Sequence, residues 1–128
     1  MSSMIDLLLG AGDEITERPE EELEVSRLSK LLGAPFLMQA HALTMKEIGD
    51  APSGDDRGAH IILAGISDPD FRNEALRRKY TPPERKTPLT PVELIQKLLL
   101  PGEVMNTYNS IMDLSGFGSD AVERIEKN

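Results

Sequence analysis

Four prolines stand between Thr81 and Pro91, at positions 82, 83, 88 and 91, and they constrain the fold more than any other stretch of the chain. Each fixes its own φ and removes a backbone donor, so neither a helix nor a central strand can run through them. Regular structure therefore has to restart afterwards, and the residues for a restart are present. Thr90, Pro91 and Glu93 place an N-cap hydroxyl, a first-turn proline and a capping-box carboxylate ahead of Val92, Ile95, Leu98 and Leu99. Pro101 and Gly102 interrupt that helix. Val104, Met105, Tyr108, Ile111 and Met112 then recur at helical spacing until Gly116, which predicts a helix pair. A last short helix is expected over Asp120 to Lys127, capped by Ser119, with Asp120 and Glu123 near its positive end.

Before the prolines the pattern is mixed. Met4 to Leu9 has the spacing of a short, peripheral amphipathic helix, with Ser2 or Ser3 as cap and Gly10 and Gly12 as stops. Asp13 to Glu22 is acidic with little to bury and reads as a linker, so residues 1–22 are expected to be partly flexible. Leu23, Val25 and Arg27 alternate with Glu24, Ser26 and Leu28 as a first strand. Pro35 to Ala42 is a second, with Phe36, Met38 and Ala40 on one side. Gly33 and Pro35 punctuate the connection, in which Ser29 to Leu32 could alternatively form a helical turn. Thr44 and Glu47 have capping-box spacing, and Gly49 to Gly58 reads as a surface loop. Ala59 to Ile66 suits a buried helix or a central strand, helix being favoured. Asn73 to Tyr80 reads as a helix with Ala75, Leu76 and Tyr80 inward and Tyr80 as its anchor. No internal repeat is visible. The class predicted is α+β: one domain over residues 1–128, a small N-terminal β-hairpin packed with a mainly α-helical C-terminal part that holds most of the core.

Composition narrows function. At 128 residues the chain can bury a real core, and without cysteine it has neither disulfides nor thiolate chemistry. Its apolar runs, such as Leu98 to Leu100, fall far short of the roughly 20 residues of a membrane span, and the N-terminus lacks the pattern of a secretory signal. A cytoplasmic protein is expected. A formal net charge of -8 disfavours nucleic acid as a partner. The charge is uneven: Asp13 to Glu24 holds seven acids against Arg18 alone, whereas Arg72 to Lys86 holds six bases against Glu74 and Glu84. These are either two solvated faces or complementary patches, in which case Glu20, Glu21 and Glu22 would meet Arg77, Arg78 and Lys79 of another copy.

No enzymatic constellation emerges, and no cofactor or metal is expected. His41 and His60 lack ligand-spaced partners, and no serine lies in a G-x-S-x-G elbow. Asp68 and Asp70 around Pro69 read as a turn, because a calcium loop needs further acids and a glycine. Gly10-Ala11-Gly12 reads as helix termination, since Ile15 stands where a phosphate loop needs its third glycine. Met105 and Met112, one heptad apart beside Tyr108, suit core packing or a groove that accepts apolar helices. Leu94, Leu98, Met105, Tyr108 and Met112 are the candidate partner-binding residues.

Three segments together carry a resemblance: DPDFRNEALRRKY from Asp68 to Tyr80, TPVELIQKLLLPGEV from Thr90 to Val104, and LSGF from Leu114 to Phe117. In this order and spacing the chain resembles the XkdN-like tail assembly chaperones of tailed phages and PBSX-type prophages, over most of Ser67 to Phe117, with weaker similarity at Met4 to Leu9 and from Phe36 to Leu43. The resemblance implies a protein of the host bacterial cytoplasm, not an enzyme and absent from the finished virion. It would bind the long helical tape measure protein, keep it soluble, and be displaced as the major tail protein polymerises. A structural tail component or connector retained in the virion is the alternative. The chain departs from the family pattern at Gly49 to Gly58, rich in glycine and aspartate, and at Pro82 to Pro88.

Overall fold

The computed structural model describes residues 3–126 and is α+β, with a three-stranded antiparallel sheet and seven helices. The first helix, α1, spans Met4–Leu9, and a 3-10 turn follows at Asp13–Thr16. Strand β1 (Glu20–Glu24) leads into helix α2 (Ser26–Leu32), strand β2 (Leu37–His41), and helices α3 (Met45–Asp50) and α4 (Arg57–Gly65). Strand β3 (Ile66–Asp68) precedes α5 (Glu74–Lys79), α6 (Pro91–Leu98) and α7 (Pro101–Met112), and a π turn closes the fold at Asp113–Phe117.

The sheet order is β1-β2-β3, with Glu20 opposite His41 and Glu24 opposite Leu37. Two expectations change here. The first strand begins at Glu20, inside the acidic run expected to be a linker, and ends before Ser26. Its backbone pairs along the whole of β2 while its glutamates remain at the surface, so pairing overrides a composition poor in β-formers. The connection is helix α2, with Gly33 as left-handed C-cap at φ 70°, so the helical alternative for Ser29 to Leu32 holds and the alternation through Leu28 does not. In β2 the expected inward residues Met38 and Ala40 are buried.

Ala59 to Gly65 is helical, as favoured, but Ile66 leaves it to form β3 against Ala40. That third strand was not anticipated. Helix α4 is the centre of the core: Ala59, Ile61 and Ile62 pack with Met38, Phe71, Leu94, Ile95 and Ile111. A Cβ on Gly65 would lie 2.8 Å from Ile111 Cδ1, so a glycine here is what lets α4 and α7 approach. Of the segment Asn73 to Tyr80, Ala75 is exposed and Tyr80 only half-buried. The anchor is Phe71, 1 % exposed, two residues before the cap Asn73, whose Oδ1 accepts from the Leu76 amide at 2.9 Å.

At the C-terminus Gly116 takes φ 91°, ending the helical path where the sequence predicts. Ser115 Oγ donates to the Ile111 carbonyl at 2.7 Å and accepts from the Leu43 amide at 2.9 Å, tying this end to the exit of β2. The helix expected from Asp120 does not form: a turn and bend end at Val122 and residues 123–126 have no regular structure, with Ala121 to Glu126 all exposed and unpacked. Lys127, like Ser2, lies outside the described residues; Ser3 caps α1.

Candidate interaction surface

Helix α6 begins as its sequence dictates. Thr90 Oγ1 accepts from the Glu93 amide at 3.2 Å, and Glu93 Oε1 accepts in return from the Thr90 amide at 2.9 Å. Arg85, from the proline loop, grips the same carboxylate through Nη1 and Nη2 at 2.7 and 2.8 Å. These donors, the guanidinium foremost and then the Thr90 amide, pull the Glu93 carboxyl from 4.5 down to about 2.

The elbow between α6 and α7 is held from across the sheet connection. Arg27 of α2 donates through Nη2 to the Leu98 carbonyl at 2.9 Å and makes a two-pronged contact with Glu103, at 3.0 and 2.9 Å. Glu103 also accepts from the Leu100 amide at 2.8 Å. One guanidinium thus satisfies a terminal carbonyl of α6 and orients the residue that caps α7. The Arg27 bonds, and after them the Leu100 amide, hold the Glu103 carboxyl below its usual range.

Beside this elbow lies a groove of about 410 Å³, lined by Asp55, Gly58, Gln96, Leu99, Pro101, Val104 and Met105. Its wall is mostly apolar. A Cβ on Gly58 would come within 3.1 Å of Val104 Cγ1, so this glycine sets how closely α4 meets α7. Met105 is 56 % exposed, and Leu100 and Phe117 are comparably open.

The structure separates the five candidate partner-binding residues. Met105 faces solvent on the groove, whereas Leu98, Tyr108 and Met112 are half-buried against the core. Leu94 is completely buried and is corrected from docking residue to core residue, since α6 turns Leu94 and Ile95 toward α4. Replacing it with aspartate would damage the fold rather than report on binding. Leu100, exposed between Leu99 and Pro101 where the helix break turns one leucine outward, stands next to the groove without lining it.

The charged candidates also divide. Glu20, Glu21 and Glu22 are exposed along β1, with Glu22 accepting from Gln39 Nε2 at 2.8 Å. Arg77 is used within the chain, donating to the carbonyls of Arg72 and Leu89, both at 3.1 Å. Arg78 makes a loose exposed pair with Glu74 at 3.6 Å, and the Lys79 amine sits 5.6 Å from the Tyr80 ring centre. Among the described residues His41 lies 3.0 Å from the Ala42 carbonyl and 3.5 Å from Arg18, and His60 lies 3.3 Å from Asp56. No group of three or more histidine, aspartate or glutamate side chains among the described residues could hold a metal ion, and no helix among them is long and apolar enough to cross a membrane.

Apolar side chains are also exposed on α1 and α2. Every residue of α1 is open, Met4, Ile5, Leu7, Leu8 and Leu9 at 55 to 79 %, and Leu31 and Leu32 of α2 are at 72 and 64 %. Amphipathic spacing showed that α1 had an apolar face but not that the body leaves it uncovered.

A family model described as phage XkdN-like tail assembly chaperone protein matches residues 55–128, more than half of the chain. The crystal structure of the protein yqbn is similar in fold, with a TM-score of 0.60 and 24 % identity over 80 % of this chain and 88 % of that one. Comparison with curated proteins returns no match.

Proposed function

This chain belongs to the XkdN-like phage tail assembly chaperones, and from that premise we propose that it binds the tape measure protein in the host bacterial cytoplasm and keeps it soluble until the tail tube polymerises. The observation that carries this reading is the open apolar groove beside Met105, whose lining residues all fall within the matched part of the chain. A long helical partner with an apolar stripe and no core of its own aggregates unless the stripe is covered. A fixed groove between helices is the usual receiver for such a stripe. Covering and release need no bond made or broken, which accords with a non-enzymatic role.

The experiment is co-expression with a tape measure protein from the same phage, measuring its soluble yield and co-purification. Soluble tape measure protein is expected only together with the chaperone. Met105→Asp should abolish co-purification while leaving the circular dichroism spectrum and urea midpoint unchanged, because the side chain is already exposed. A tape measure protein indifferent to this chain would refute the reading, and recovery of the chain in purified tails would favour a structural component instead.

A further inference from the structure

We propose that the free edge of strand β1 receives an extended, alternately basic and apolar segment of another protein, which joins the sheet as a fourth strand. This surface is distinct from the groove beside Met105, and the inference does not rest on the tape measure reading.

The sheet order β1-β2-β3 leaves β1 with a neighbour on one side only. The ladder fixes which backbone groups face the open side. Pro19 accepts from the Ala42 amide at 2.9 Å and Val25 donates to the Phe36 carbonyl at 3.2 Å, so the odd-numbered residues turn their backbone groups toward β2. The amides and carbonyls of Glu20, Glu22 and Glu24 therefore point away from the sheet, and among the described residues they have no backbone partner. An edge with open donors and acceptors is a template for a further strand.

The two faces of an added strand would meet different chemistry. On one face Leu23 and Val25 border a hollow of about 320 Å³ whose opposite wall includes Asn106 and Ser110 of α7. Its sheet side is apolar, so every second side chain of the guest should be apolar. On the other face stand the carboxylates of Glu20, Glu22 and Glu24. Glu22 and Glu24 accept only from the neutral donors Gln39 and Ser29, at 2.8 and 2.7 Å, and among the described residues none of the three forms an ion pair. The intervening side chains of the guest should therefore be cationic. A second copy of this chain fits poorly, because pairing β1 with itself sets glutamate beside glutamate. The same charge that bars one guest selects another.

The test is a fluorescein-labelled heptapeptide of alternating lysine and valine, titrated with the full chain and followed by anisotropy at about 0.1 M salt. Binding should slow hydrogen exchange at the amides of Glu20, Glu22 and Glu24, and Met105→Asp should bind the peptide as wild type does. Methylating the backbone nitrogens of either the lysines or the valines blocks one edge of the guest strand, so one version should bind about tenfold or more weakly and the other normally. Glu20→Gln with Glu22→Gln and Glu24→Gln should also weaken binding about tenfold, with circular dichroism unchanged because all three side chains are exposed. Equal behaviour of the two methylated peptides overturns strand addition, as does an unbound parent peptide. Protection of the same three amides that grows with chain concentration, without peptide, gives the edge to a second copy and overturns the assigned guest.

Discussion

Helices α1 and α6 both start from a complete capping box, Ser3 with Asp6 and Thr90 with Glu93, yet α1 leaves all its apolar side chains exposed while α6 buries Leu94 and Ile95 completely. The cap decides where a helix begins. What the helix is worth to the fold depends on whether a partner surface meets its apolar side, and α4 meets α6 through Ile61, Ile62 and the small residues around them. Burial of a leucine or isoleucine contributes roughly 1.5–3 kcal/mol, several times the value of a local side-chain pair. The same local signal therefore marks a core element in one place and an element left open to solvent in the other.

The sharpest way to break that contrast is a matched truncation. Leu94→Ala should cost about 2–5 kcal/mol in urea unfolding, whereas Leu8→Ala should change stability by no more than about 0.5 kcal/mol. Equal losses would mean that α1 packs on the body in solution. Next comes the cap: Thr90→Ala should lower stability by about 1 kcal/mol, and Ser3→Ala should leave the midpoint where it is while weakening protection of the α1 amides to hydrogen exchange. The smallest effect concerns pH. The folded-state Glu93 carboxyl lies at about 2, below its ordinary 4.5, so its contribution is fully present above pH 4.5 and is lost as pH falls toward 2. Glu93→Gln preserves the capping geometry but not the charge facing Arg85. It should therefore lower the melting temperature at neutral pH, with the difference from wild type closing by about pH 2; a constant difference would assign the loss to packing.

Local signals in the sequence were read well where one residue acts on its neighbours: Thr44, Thr90 and Gly116 end or begin elements as their chemistry requires. What required distant partners was read less well. Strand β1 is Glu-Glu-Glu-Leu-Glu, which nothing local marks as a strand; it exists because β2 offers an open edge. Strand β3 is three residues at the end of a helix, too short for any alternation to register. Periodicity put Leu94 and Met105 on apolar helix faces without distinguishing a face met by α4 from one left to solvent. The segments that carried the family resemblance turn out to be largely architectural. Phe71 fills the core, Asn73 and Thr90 cap helices, and Ser115 ties the last turn to β2. A family can thus be recognised from the residues that hold its shape, while the residues that touch a partner are freer to follow that partner.

The Arg27 contact to Leu98 and Glu103 bears on how a guest would be received. A groove whose elbow is pinned from α2 has little ordering left to do when filled, so the entropic cost of docking falls chiefly on the incoming chain. Selectivity then becomes a matter of which guests arrive already helical. A substitution at position 27, distant in sequence from the groove, would trade that discrimination for tolerance by letting the two helices open to fit whatever arrives.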